Sequence, residues 1–189
     1  MIYLFVADIG GCDFDKMCYK PLSKNRQRYI ESIKDKNRKT HSAVSWALLE
    51  YAFSTLFNQK IDKAHAKNNG KWVIDGFDGS FSIAHSKNLV AVAVSTASNI
   101  GLDVELISNK IMPLKKRYEI PQGEKDEIDY LVSKFTAEES NYKCEKKANY
   151  YYSFELKDGF NERYKLCVAS EKQAKINLKQ ENLVFFVKN

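Results

Sequence analysis

Between residues 72 and 108 the chain reads as a succession of short strands around turns: WVIDGFDGSFSIAH, LVAVAVS and NIGLDVELIS. This cluster rules out an all-helical fold. The opening MIYLFVADIG is a further strand, with Ile2, Leu4 and Val6 alternating as a half-buried strand requires. Helical patterns lie on either side of the cluster. Ser23 is a good N-cap for KNRQRYIESI, since its hydroxyl accepts from a free amide of the first turn. Residues 37–57 place Val44, Leu48 and Tyr51, with Leu49, Ala52 and Leu56, on one helical face. Later, 124–135 predicts a helix with Ile128, Leu131, Val132 and Phe135 inward, and Thr136 starts a second helix. NYYYSFEL and RYKLCVAS form a hairpin, and NLVFFVKN (182–189) a final strand. The fold class is α+β. The strand pair closing on VAVS is echoed by one closing on CVAS. This suggests two similar α+β halves, 1–105 and 106–189.

The net charge is +6, with a pI near 9.0, so anionic partners are favoured: nucleic acid, acidic lipid, an acidic protein or a phosphorylated small molecule. No apolar run approaches the roughly 18 residues of a membrane span. Cys12, Cys18, Cys144 and Cys167 form no CxxC pair and read as free thiols of a reducing cytoplasm. A cytoplasmic monomer is expected.

Three polar sets stand out. Asp103 and Glu105 in GLDVE share one face of a strand, because residues two apart point the same way. They leave Leu102 and Val104 for the core. Two carboxylates side by side repel unless a cation lies between them, and hard oxygen donors suit Mg2+. The ordinary alternative is a solvated strand face. Glu139 and Lys143 are four apart on a predicted helix and share a face. Taken alone they are a surface ion pair, or Thr136 and Glu139 form a capping box. The third set is basic: Lys24, Arg26, Arg28, Arg38, Lys39, Lys71 and His85. Brought together, these residues would make a phosphate pocket. His85 and Ser86 lie where two strands meet, and the plain reading places them in a hairpin turn.

FSIAHS (81–86), GLDVE (101–105) and FTAEESNYK (135–143), with Arg38 at a helix head and Lys71 in an NGKW turn, resemble the motifs of the larger, surfactin-synthetase-activating type of 4′-phosphopantetheinyl transferase. Their order and spacings agree with that family over roughly residues 20–170. The resemblance implies two similar halves related by a pseudo-twofold, with the active site in the cleft between them. It implies transfer of the phosphopantetheine arm of coenzyme A to a serine of an acyl or peptidyl carrier protein, with Mg2+ as cofactor. Asp103, Glu105 and Glu139 would hold the metal. Glu139, or a metal-bound water held by Glu105, would take the serine proton. Lys143 would neutralise phosphate or leaving-group charge. Lys24, Arg28, Arg38, Lys71, His85 and Ser86 would bind coenzyme A.

The chain departs from the family pattern at Ala84, where the family has a hydroxyl expected to touch phosphate, and at Glu138, where it has a lysine. A catalytically impaired relative is therefore the alternative reading. A basic nucleic-acid-binding module, suggested by KKANYYYSF, leaves the carboxylates unexplained. Neither nucleic acid nor membrane is expected as a partner.

Overall fold

Strand β1 (Ile2–Asp8) is buried on both faces, and the layers of the molecule follow from that. On one side Ile2, Leu4 and Val6 meet a second sheet, and on the other Phe5 and Ala7 meet a helix. The computed structural model describes residues 1–10, 21–68 and 70–182. Cys12, Cys18 and the strand expected over 182–189, save its first residue, lie outside them. Cys144 and Cys167 are buried free thiols.

The first sheet runs in the order β4 (Ser80–Ser86), β5 (Leu89–Ser95), β1, β9 (Ile176–Asn182), with β9 parallel to β1 and the other pairs antiparallel. The second runs β6 (Ile100–Leu106), β8 (Arg163–Ser170), β7 (Tyr150–Lys157), antiparallel throughout. Helix α2 (Lys36–Phe57) covers the first sheet through Val44, Trp46, Leu48, Leu49 and Phe53. Asp35 caps it by accepting from the Arg38 amide at 2.7 Å, and Asn58 ends it in the left-handed region, φ 53°. Helix α3 (Glu127–Lys143) covers the second sheet. The fold is thus mixed α+β, in layers helix, sheet, sheet, helix. Helix α1 (Lys24–Ser32), capped by Ser23 as expected, packs beside α2 and the small hairpin of β2 (Ala64–Ala66) and β3 (Trp72–Ile74).

The boundary expected at 105/106 falls inside β6, whose sheet partners lie at 150–170, and β9 returns to the first sheet. The order of connection β1, α2, β4, β5 is repeated by β6, α3, β7, β8, each with its last strand in the middle. Ser95 of VAVS pairs with Ile2, and Ser170 of CVAS pairs with Ile100. The two serines are linked through the Ser98 hydroxyl, 3.3 and 3.1 Å away.

One sequence expectation is corrected here. Thr136 starts no helix. It lies in the middle of α3, fully buried, and its hydroxyl donates to the Val132 carbonyl at 2.7 Å. The N-cap is Asp126, which accepts from the Asp129 amide at 2.9 Å. The apolar face predicted for 124–135 simply continues, with Thr136 and Ser140 as its small members, and the capping-box role of Glu139 disappears.

The sheets meet along β4 and β6 through an unusual seam. The amides of Ile100, Leu102 and Leu106 donate to the hydroxyls of Ser80 (3.3 Å), Ser82 (2.9 Å) and Ser86 (3.1 Å). Each pair is twenty residues apart, so the corresponding partner of Val104 is Ala84, which has no hydroxyl to offer. Ala84 is 3% exposed and belongs to the core between the sheets. The hydroxyl missing at 84 would therefore have faced a β6 amide rather than the surface. Removing one partner of a buried hydrogen bond costs about 1–3 kcal/mol, whereas adding a well-formed bond gains about 0.5–1.5 kcal/mol. Ser82→Ala is expected to lower, and Ala84→Ser to raise, the urea midpoint at unchanged slope. A lower midpoint for Ala84→Ser would contradict this account of the fourth seam position.

Candidate active site

The seam sets the site. Alternation along β4 and β6 turns Ser86 toward β6, beside Glu105. The Ser86 hydroxyl donates to Glu105 Oε2 at 3.0 Å while accepting from the Leu106 amide. Leu102 and Val104 are fully buried between the sheets, as expected, so Asp103 and Glu105 project to the other face. That face is not solvated. The end of α3 lies over it, and Asp103 is only 5% exposed.

Gly101 permits this approach. A Cβ built there would stand 1.9 Å from the Ser140 carbonyl oxygen and 2.5 Å from the Cys144 amide. With no side chain at 101, the last turn of α3 reaches β6. Lys143 Nζ then donates to Asp103 Oδ1 at 2.7 Å. Asp103 Oδ2 is buried and, among the described residues, has no hydrogen-bond partner. Glu139 shares the face of Lys143, as its spacing requires, but the lysine pairs with Asp103.

Burial pushes the Asp103 carboxyl above the ordinary value, against the opposing pull of Lys143 and with the help of Glu139. Glu105 is raised in the same direction, first by burial, then by the Asp103 charge, with Ser86 and Lys143 opposing. The mutual influence of Asp103, Glu105 and Glu139 places them in one electrostatic neighbourhood. Among the described residues no group of three or more His, Cys, Asp or Glu side chains is drawn together tightly enough to hold a metal ion outright.

His85 and Ser86 are the last two residues of β4 and pair with Val90 and Leu89, so the hairpin turn falls at residues 87 and 88 instead; strand alternation turns His85 to the side opposite Ala84 and Ser86. Its ring stacks on His41 of α2, with centroids 4.7 Å apart at 28°. Its pKa is lowered to about 4, first by desolvation, then by the neighbouring His41, Lys143 and Arg38. His85 thus keeps company with two of the basic residues named from the sequence. His41 itself was missed. Both of its ring nitrogens face carbonyl oxygens, Asn37 O at 2.7 Å and Lys87 O at 2.6 Å, which ties the first turns of α2 to the β4–β5 turn. Its position three after Arg38, on the same helical face, was the available signal.

A groove of about 960 Å3 opens beside this cluster. Lys71, Trp72, Phe81, Ser82 and Ile83 line one wall, and residues 141–143 and 145–147 the other, so Lys143 belongs to both groove and cluster. Lys71 is where the resemblance wants it, but its ammonium is paired with Glu145 at 2.8 Å, across the groove. Lys24 and Arg28 are exposed on α1 and do not line the groove. Arg26 between them is 5% exposed. Its guanidinium lies over the Tyr29, Trp46 and Trp72 rings and donates to Ser42, which makes it a packing residue.

Glu138, the other departure from the family pattern, stands on the exposed side of α3. It pairs with Arg117 at 2.7 Å and accepts from the Tyr118 hydroxyl at 2.7 Å. Its charge is compensated there, away from the groove lining.

No described helix is long and apolar enough to cross a membrane. No known protein-family profile matches the chain, and a search of curated proteins finds no match.

Proposed function

We propose that this protein transfers the 4′-phosphopantetheine arm of coenzyme A to a serine of an acyl or peptidyl carrier protein, in a Mg2+-dependent reaction that releases adenosine 3′,5′-bisphosphate. The observation that carries the reading is the meeting of three distant sequence motifs. Residues 85–86, 103–105 and 139–143 are joined by the Ser86–Glu105 and Lys143–Asp103 bonds at the edge of a basic, aromatic groove.

The resemblance assigns Asp103, Glu105 and Glu139 to a hard divalent cation, and carboxylate oxygens are the right donor type for one, although among the described residues they do not form a ready-made three-ligand site. Asp103 offers a buried oxygen that has no partner among the described residues, and Glu105 and Glu139 add carboxylate charge that acts on it or with it. Bound there, Mg2+ would neutralise charge on the pyrophosphate and orient it. Lys143, Lys71, Arg38 and His85 would bind phosphate groups, with Trp72 and Phe81 offering apolar surface to the rest of the cofactor. Ser86 would hold Glu105 in place. Glu139, or a metal-bound water held by Glu105, would take the hydroxyl proton of the carrier serine. As the carrier serine oxygen bonds to phosphorus, the bond from phosphorus to the bridging pyrophosphate oxygen breaks, adenosine 3′,5′-bisphosphate leaves, and the serine proton would pass to Glu139. Positioning and charge neutralisation supply the acceleration.

In this reading the two repeated connection patterns are two halves related by an approximate twofold, with β6 counted in the second and the cofactor between them. The impaired-relative reading loses its motive, because Ala84 faces the seam and Glu138 is paired on the outside of α3. The test is incubation of an apo carrier protein with coenzyme A and Mg2+, followed by intact mass. Gain of one phosphopantetheine, absent without metal, is expected. No gain with any of several carrier proteins would overturn the reading.

A further inference from the structure

Lys143 has two possible employers. It lines the groove, where a phosphate ligand would meet it, and it holds Asp103 Oδ1 at 2.7 Å. The Asp103 side chain is 8% exposed, its other oxygen has no partner among the described residues, and Glu105 and Glu139 add like charge to its surroundings. A buried carboxylate in such company requires a cation, and in this structure the ammonium of Lys143 is that cation. The lysine is able to leave. It is the last residue of α3, a third exposed, on a flexible stem.

We infer that Lys143 is an exchangeable counter-ion: it surrenders Asp103 to a divalent cation and turns its ammonium to an anionic phosphate ligand in the groove. The inference rests on the transfer reading for the identity of cation and anion. Its content is that the two bind cooperatively through this side chain. Metal frees the lysine for phosphate, and phosphate draws the lysine off the metal's ligand, reciprocally as linkage demands. A lysine that served the phosphate alone would leave metal affinity untouched.

The test is Mn2+ affinity, measured at pH 8 by electron paramagnetic resonance of the free ion, with neither coenzyme A nor carrier present. Wild type is compared with Lys143→Met, Lys143→Arg and Lys146→Met. Lys143→Met is expected to bind Mn2+ about tenfold more tightly, because nothing need be displaced; tenfold corresponds to about 1.4 kcal/mol. Lys143→Arg, which keeps a cation, should stay close to wild type, as should Lys146→Met, which removes a charge elsewhere on the groove. If Lys143→Met does not fold, wild type gives the answer directly. The Lys143 side-chain 15N resonance, identified by its loss in Lys143→Arg, should shift on adding Mg2+ alone.

Unchanged or weaker Mn2+ binding by folded Lys143→Met, or equal tightening by Lys146→Met, would overturn the exchange. So would a Lys143 resonance indifferent to Mg2+. If wild type meanwhile transfers phosphopantetheine only with metal, the transfer reading survives that result. If neither wild type nor any variant binds Mn2+, both fall.

Discussion

Gly101→Ala is expected to lose about 1–3 kcal/mol of stability or more, the cost of overfilling a close-packed contact. The added methyl would meet the Ser140 carbonyl oxygen at 1.9 Å and the Cys144 amide at 2.5 Å. Both are main-chain atoms that cannot swing aside. Relief requires the last turn of α3 to lift from β6, which carries Lys143 away from Asp103 and opens that face to water. The fold should therefore weaken and the site come apart together. Urea denaturation reads the first, and Mn2+ binding in the surviving folded fraction reads the second. A Gly101→Ala protein melting within about 1 °C of wild type, a shift worth at most about 0.5 kcal/mol, would show that α3 does not rest on β6 as described.

Asp103→Asn is expected to do the reverse: to abolish activity and leave stability intact or higher. On the proposed function, loss of a hard ligand would remove several kcal/mol of charge stabilisation, about a thousandfold or more in rate at 1.36 kcal/mol per tenfold. The stability sign follows from linkage. Burial raises the Asp103 carboxyl above 3.8 in the folded chain, so the native state favours the protonated form. The stability this gives is fully present below 3.8 and is lost as pH rises through the raised value. At neutral pH the ionised carboxylate is thus a cost to the fold, eased by Lys143, and the neutral amide of asparagine escapes it. The melting temperature of Asp103→Asn relative to wild type should accordingly be more favourable at pH 7 than at pH 3.5. A variant with full turnover would sink the ligand assignment. One that is destabilised equally at both pH values would sink the linkage argument.

The strands and the face of each carboxylate were legible because both depend on a period of two. Leu102 and Val104 had to go inward, so Asp103 and Glu105 had to share the other side. Their burial was not legible. It depends on α3 covering that side, and the covering depends on an absent side chain at 101, which reads in sequence as an unremarked glycine. The Lys143–Asp103 bond spans forty positions, and a helical i,i+4 rule naturally offered Glu139 as partner instead. Thr136 misled for a related reason. A threonine before Glu at the third following position resembles a helix start, but here its hydroxyl bonds back to Val132, a local alternative open to the same residue type. Arg26 and Arg28 look alike in the sequence. Only the packing of α1 against Trp46 and Trp72 separates the buried one from the exposed one. The pairing of Lys71 with Glu145 is likewise tertiary, joining a turn in the first half of the chain to the residue after α3's cap.

Ordinary strands are fastened by amides and carbonyls that every residue carries, so the fastening is indifferent to sequence. Along β4 and β6 it is not. Each rung is one codon, and a single base change can add or delete it without touching either sheet's own ladder. The rung that is missing, at 84 and 104, lies between the two carboxylate-bearing positions. Evolution can therefore stiffen or slacken the joint beside the acidic pair independently of the rest of the molecule, much as a luthier adjusts one string without retuning the frame.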